Sequence, residues 1–258
     1  MLINTGSFKE RVRSNQVLLG AGVTAGLVNA DVILRCRPDW LFIDMESLPL
    51  SIAEVSHILD LSSRESVPTL VRLNDHNPAI IRQVLDAGAN GIIAPMVSNA
   101  KQAHAIVQAA YYPPEGRRGL ANAKIQGYTG GWDQGHLLEE NRTISVILMI
   151  ENQEGLDNLE RIAAVSGVDG LFVGTGDLKA SLGILGDPDS SLFDEALVRV
   201  GEASKRHGIA AGGMVVNRTS YAQFRALDFS LLLAGLDLAW LQQAARRHLD
   251  DLKRWESM

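Results

Sequence analysis

The stretch WLFIDMES, residues 40 to 47, decides the fold class. Trp40 to Ile43 are apolar without a break, and the chain then turns abruptly polar at Asp44, Glu46 and Ser47. A strand with one wet face alternates apolar and polar residues. One without alternation is buried on both faces, as in a parallel sheet covered by helices. A polar cluster at the end of such a strand is where α/β enzymes keep their chemistry.

Working outward, the same kind of run recurs at VLLGAGV (17–23), TLVRL (69–73), GIIAPM (91–96), SVILMI (145–150), GLFVG (170–174), IAAGGMVV (209–216) and SLLLAG (230–235), which makes eight with WLFID. Between them, segments such as SIAEVSHILDLSS and NPAIIRQVLDAG carry apolar residues at helical spacing and often close on glycine. Eight βα units in 258 residues match the size of a closed (β/α)8 TIM barrel. No Pro/Ser-rich linker divides the chain, so residues 1–258 read as one domain. A doubly wound open sheet is the rival, but no strand leads into a GxGxxG loop or a Walker lysine pattern. The connection YYPPEGRRGLANAKIQGYTGGWDQGHLLEENR, after NAKQAHAIVQAA, is unusually long and reads as an active-site or subunit-contact loop.

A net charge of −6 gives no bulk attraction to nucleic acid, and the pairs Arg117–Arg118 and Arg246–Arg247 are too short to form a track. The single Cys36 excludes an internal disulfide or CxxC site and reads as inert packing in a reducing cytoplasm. No run approaches the ~18 apolar residues of a membrane span, and the first residues lack a signal-peptide pattern.

In a barrel the active site is built from the C-terminal ends of the strands. Asp44 and Glu46 end strand two, Arg72 strand three and Glu151 strand five; strand six leads through GTG to Asp177. Glu151 and Asp177 suit a hard cation such as Mg²⁺ or Mn²⁺, which takes oxygen ligands and completes its shell with water and substrate. Equally, both could cap the helices that follow. Arg72 on an apolar strand calls for an anion, either a substrate carboxylate or enolate oxygen, or Asp44 and Glu46 within the protein. The glycines around Gly176 leave backbone N–H groups exposed at a helix start, which suits a carboxylate or phosphate.

Together DWLFIDMES, VRLND, LDAGANGIIAPMVSNA, YYPPEGRRG, the IEN triplet and VDGLFVGTGDLKASLG, in this order over nearly the whole chain, resemble the HpcH/HpaI aldolase family, metal-dependent class II aldolases related to citrate lyase β subunits. The resemblance implies a (β/α)8 barrel, commonly a hexamer of paired subunits exchanging a C-terminal helix, here about residues 236–255. It implies a divalent cation, Mg²⁺ or Mn²⁺, on Glu151 and Asp177, with Asp44 and Glu46 supporting it. A 2-oxo acid would bind there, its enolate oxygen met by Arg72 and its carboxylate by the backbone at Gly176 and Asp177.

The chain departs from that pattern at one position. The family reads D-x-E-H after strand two, the His paired to an Asp that aligns with Asp86; this chain has Ser47 instead. A serine hydroxyl does not hold a proton near neutral pH as imidazole does. His76 in the RLNDHNP loop, and His136 acting across a subunit boundary, are the candidates to replace it, and Asp86 without its histidine reads as structural. The resemblance leaves three functions open: a pyruvate-type aldolase, a condensation of acetyl-CoA with oxaloacetate as in siderophore-pathway citrate synthesis, and a catalytically retired 2-oxo acid or citrate binder.

Overall fold

The computed structural model describes residues 7–121, 124, 127–128, 133–187 and 190–256. Eight strands run β1 Leu18–Val23, β2 Trp40–Asp44, β3 Thr69–Arg72, β4 Gly91–Ala94, β5 Ser145–Ile150, β6 Gly170–Val173, β7 Ala210–Met214 and β8 Leu231–Leu236. Every neighbouring pair is parallel, and β8 returns to β1 to close the barrel. The apolar runs of the sequence and these strands agree to within a residue or two.

The barrel interior is filled by one cluster that includes Leu18, Trp40, Phe42, Leu70, Ile93, Ile147, Met149, Phe172, Leu231 and Leu233. Glycines make room for the large rings: a Cβ on Gly20 would meet the Trp40 indole at 2.2 Å, and one on Gly212 the Phe172 ring at 2.7 Å. Phe8 and Val12, on the short helix Phe8–Arg13, belong to the same cluster. A second, larger cluster lies between strands and helices and includes Val23, Leu41, Ile43, Val71, Ile92 and Leu148. Adjacent strand residues thus face opposite layers, both apolar, which is why the strands show no polar alternation.

The same period of two places the polar residues. Phe42 is followed two residues on by Asp44, Leu70 by Arg72, Met149 by Glu151 and Phe172 by Gly174. The interior series therefore runs directly into the carboxylates and guanidinium at the C-terminal mouth.

Two expectations change. The long connection is not all loop, because Gln134–Thr143 is a helix, N-capped by Asp133, and it carries His136. Parts of that connection, residues 122–123, 125–126 and 129–132, lie outside the described residues. Cys36 is exposed rather than packed, since it follows the last turn of helix Leu27–Arg35 and points its Sγ back at the Val32 carbonyl.

The last helix, Asp237–Glu256, is pinned at its start, where Asp237 accepts hydrogen bonds from Thr24 Oγ1 and Asn29 Nδ2. Beyond Trp240 nearly all of it is exposed, including Leu241 at 62% and Trp255 at 63%. Among the described residues no helix is long and apolar enough to cross a membrane.

Candidate active site

Arg72 organises the mouth of the barrel. Its Nε lies 2.9 Å from Asp44 Oδ1 and its Nη2 2.6 Å from Asp44 Oδ2, the two-pronged geometry of a guanidinium on a carboxylate. Nη2 also donates to Ser47 Oγ at 2.6 Å, and Nη1 lies 2.7 Å from Glu46 Oε2. The internal ion pair read as one alternative from the sequence is therefore formed. Of the five N–H groups of a guanidinium, three donate in these hydrogen bonds, and Nη1, ion-paired with Glu46, is the nitrogen with an N–H to offer a substrate oxygen.

Asp44 is fully buried. Burial works against its charge, but the hydrogen bonds and charge of Arg72 and the N–H groups of Ser47 and Glu46 hold its carboxyl below the usual range. The two N–H bonds also fold the chain after β2, which sets Glu46 and Ser47 around Arg72. The Phe42 ring sits 5.6 Å from the guanidinium carbon and adds a cation–π contact.

Glu151 leaves the end of β5 and is 1% exposed. Met96 adopts φ 52°, a left-handed conformation that costs a residue with a Cβ about 1–3 kcal/mol, and its N–H donates to Glu151 Oε1. Glu151 Oε2 is buried with no hydrogen-bond partner among the described residues. A Cβ at position 174 would stand 2.2 Å from that oxygen, so only glycine fits there. Burial pushes the Glu151 carboxyl up; the Met96 N–H opposes this, and Glu46 and Asp177 add to the rise. Glu46 is raised in the same way, by burial and then by Asp44 and Asp177, against the pull of Arg72.

Neither metal candidate acts as a cap. Asn152, not Glu151, caps helix Gln153–Asp157, and helix Thr175–Ser181 starts at Gly174 without a side-chain cap, with Asp177 in its exposed first turn. Arg72, Glu151, Gly176 and Asp177 line one chamber of about 130 Å³, walled by Phe42, Met149 and Phe172. Among the described residues no three His, Cys, Asp or Glu side chains gather as a complete cage. An all-oxygen pair with one buried, unpartnered oxygen fits a hard divalent ion that keeps water and substrate in its shell, and does not fit zinc. Four carboxylates around one guanidinium leave a surplus of negative charge that such an ion offsets.

His76, after β3, contacts the Pro95 carbonyl through Nε2 and is close enough to Glu46 to act on its carboxyl. Asp86 is not brought to this cluster by its own contacts. It ends helix Pro78–Asp86 and is bound 2.6 Å from the buried Arg118. His136, on helix Gln134–Thr143, acts on Glu140, whose other neighbours include Arg118 and Asp86. Sequence reading missed Phe42, Met96 and Gly174; the period of two through Phe42 and Phe172 was the available signal for the first and last.

The family model described as HpcH/HpaI aldolase/citrate lyase matches residues 27–244. A hydroxypyruvate/pyruvate aldolase of Paraburkholderia phytofirmans is 33% identical over 257 residues, covering 96% of this chain and 98% of its own. The crystal structure of an HpcH/HpaI aldolase/citrate lyase family protein from Burkholderia cenocepacia superposes with a TM-score of 0.88 at 32% identity, over 95% of this chain and 98% of that one. The citrate synthase SbnG shares the fold, with a TM-score of 0.87 at 24% identity over 98% and 99% of the two chains. With its barrel closed and its carboxylates and arginine gathered at one end, this chain belongs to the HpcH/HpaI aldolase/citrate lyase family.

Proposed function

We propose that the protein is a divalent-metal-dependent carbon–carbon lyase or synthase that handles a 2-oxo acid as its enolate, with aldol cleavage as the standard reaction. The observation that carries this is the convergence of Arg72, Glu151 and Asp177 on one small chamber, with a buried, unpartnered Glu151 oxygen among them. Glu151 and Asp177 would hold Mg²⁺ or Mn²⁺, which when bound would supply Lewis-acid charge to a 2-oxo acid. An Nη1 N–H of Arg72 meets the oxygen on which charge develops, from a guanidinium already fixed by Asp44, Glu46 and Ser47, so little reorganisation is needed. The backbone at Gly176 and Asp177 receives the substrate carboxylate.

His76 is assigned the proton transfer. The other five histidines lie on helices; His76 alone is on a strand-to-helix loop at this end of the barrel. A carbonyl oxygen only accepts, so Nε2 is the donor in this contact and Nδ1 is the ring nitrogen left to act on the substrate. In cleavage the base takes the proton of the substrate's 4-hydroxyl as the C3–C4 bond breaks toward the enolate, and a proton returns to C3. His76→Asn is expected to lower kcat about 100-fold with little change in KM, and Ser47→His to restore part of it. Unchanged kcat in steady-state assays refutes the assignment. Ser47 then serves to hold Arg72, and Asp86 to anchor Arg118.

One observation favours a second reading. With Ser47 bound to Arg72 instead of an imidazole beside it, the site also suits condensation of acetyl-CoA with oxaloacetate, in which the 2-oxo acid is the electrophile. Purified protein with Mg²⁺ separates the two. Pyruvate formed from a 4-hydroxy-2-oxo acid without thiol release supports the lyase; free thiol from acetyl-CoA only in the presence of oxaloacetate supports the synthase and overturns the lyase.

The working form is proposed to be a cytoplasmic homo-oligomer of paired subunits in which the helix Asp237–Glu256 covers a neighbour. Its Leu241, Leu249 and Trp255 are exposed among the described residues, as are Val28 and Val32 on helix Leu27–Arg35. Leu241→Asp combined with Leu249→Asp should shift the mass measured by light scattering from oligomer to monomer, and an unchanged mass excludes this helix from the interface.

A further inference from the structure

The end of the barrel opposite the mouth carries a cleft of about 370 Å³, within the ~300–1,000 Å³ of usual small-molecule sites. It lies where helices Ile52–Arg64 and Pro78–Asp86 end, just before β3 and β4 begin. Helix Phe8–Arg13 closes one side of it with Phe8 and Arg11.

Arg11 is left without a close acceptor. Its side chain is only 17% exposed, and its ion pair, from Nη2 to Asp39 Oδ1, is 3.6 Å long, beyond hydrogen-bonding distance. Its Nε is buried without a hydrogen-bond partner among the described residues. By contrast, the Nε groups of Arg13 and Arg72 lie 2.6 and 2.9 Å from carboxylate oxygens. Asp39 does not turn to meet Arg11 because its other oxygen accepts the Leu19 N–H. A buried charged donor left unpaired is costly, so the Nε edge of Arg11 calls for an acceptor from outside these residues.

The rest of the lining narrows that acceptor. The carbonyls of Ser62 and Ser63, at the end of their helix, are taken by the N–H groups of Val67 and Ser66, and Asn90 Oδ1 by that of Thr69. The Asn90 amide nitrogen and the hydroxyls of Ser63 and Ser66 are donors on the wall, and no carboxylate lines the cleft among the described residues. Two helices end here, and the negative ends of their dipoles work against a doubly charged group. A carboxylate carries one charge and matches the fork formed by Nε–H and Nη2–H. Phe8, Leu59, Val67 and Pro68 give the cleft an apolar wall for a short carbon chain.

We propose that this cleft is a second binding site, for a small monocarboxylic acid with a short apolar body, seated on Arg11 at the far end of the barrel from the reaction. The proposal stands apart from the reading of the mouth. Its test is isothermal titration calorimetry of the chelated protein at constant ionic strength, with butyrate, its neutral isostere butanamide, and inorganic phosphate as probes. Butyrate is expected to bind with a Kd of about 1 mM or tighter, and at least about tenfold more tightly than either other probe. Arg11→Gln removes the fork, and Ser63→Asp puts a carboxylate at an exposed position on the wall. Each should weaken butyrate by about tenfold or more, and Ser63→Asp should do so with its thermal melting unchanged.

Butyrate that does not bind, that binds no better than butanamide or phosphate, or that binds both variants as tightly as the parent overturns the site.

Discussion

Glu151→Gln is expected to lower kcat/KM about a thousandfold or more while leaving the metal-free protein as stable as before or slightly more so. Oε2 of Glu151 is buried without a partner, and burial together with Glu46 and Asp177 raises the carboxyl. A carboxyl with a raised folded-state pKa destabilises the fold when ionised, and the cost grows as pH rises from the ordinary carboxylate value through the raised one. The amide removes that charge and keeps an oxygen for the Met96 N–H. A gain of about 1 kcal/mol moves Tm by about 2–4 °C for a chain of this size. Calorimetry after chelation, beside steady-state kinetics, checks both halves. A large loss of Tm would mean that Glu151 is structural.

Arg72→Ala should show the opposite balance, with both fold and turnover lost. It leaves Asp44, fully buried, without the two-pronged guanidinium that keeps it ionised. Removing one partner of a buried ion pair costs about 3–5 kcal/mol, and losing a donor to the developing oxyanion costs about 100- to 1,000-fold in kcat. Arg72→Lys keeps the charge but not the fork, and should fall between. The pH dependence follows from the direction of the Asp44 shift. Its carboxyl is held below the ordinary range, so its contribution is present above the unfolded value near 4 and is lost as pH falls through the lower folded value. In Arg72→Ala the Asp44 carboxyl loses the group that depresses it while its burial remains, so the Asp44 part of the acid limb in a plot of denaturant midpoint against pH should shrink relative to the parent.

The contrast between these substitutions explains how far the site was legible before the structure. Strand runs such as WLFID and SVILMI announce themselves because both faces of the sheet are apolar, and a polar residue ending such a run has only the barrel mouth to occupy. That logic located Asp44, Arg72 and Glu151. It did not separate a metal ligand from a helix cap at Glu151, because capping depends on backbone direction; the structure gives that task to Asn152. Nor did spacing show how many of the Arg72 donors were already taken, since Asp44, Glu46 and Ser47 reach it only through the fold after β2. The need for glycine at 174 comes from the Glu151 carboxylate, 23 residues earlier in the chain. The cavity lined by Thr175, Lys179, Asp194, Asn217 and Gln223 joins three separated segments of the chain, a juxtaposition that periodicity does not encode.

The proposed formation of an enolate from a 2-oxo acid at Arg72, Glu151 and Asp177 has a direct readout in pyruvate. Proton NMR of pyruvate in deuterated buffer tests it without knowing the physiological partner. The expected result is a loss of the methyl signal that requires added Mg²⁺ or Mn²⁺, stops with chelation and is absent in Glu151→Gln. A methyl signal that persists with every divalent ion, or exchange that continues in Glu151→Gln, would contradict it.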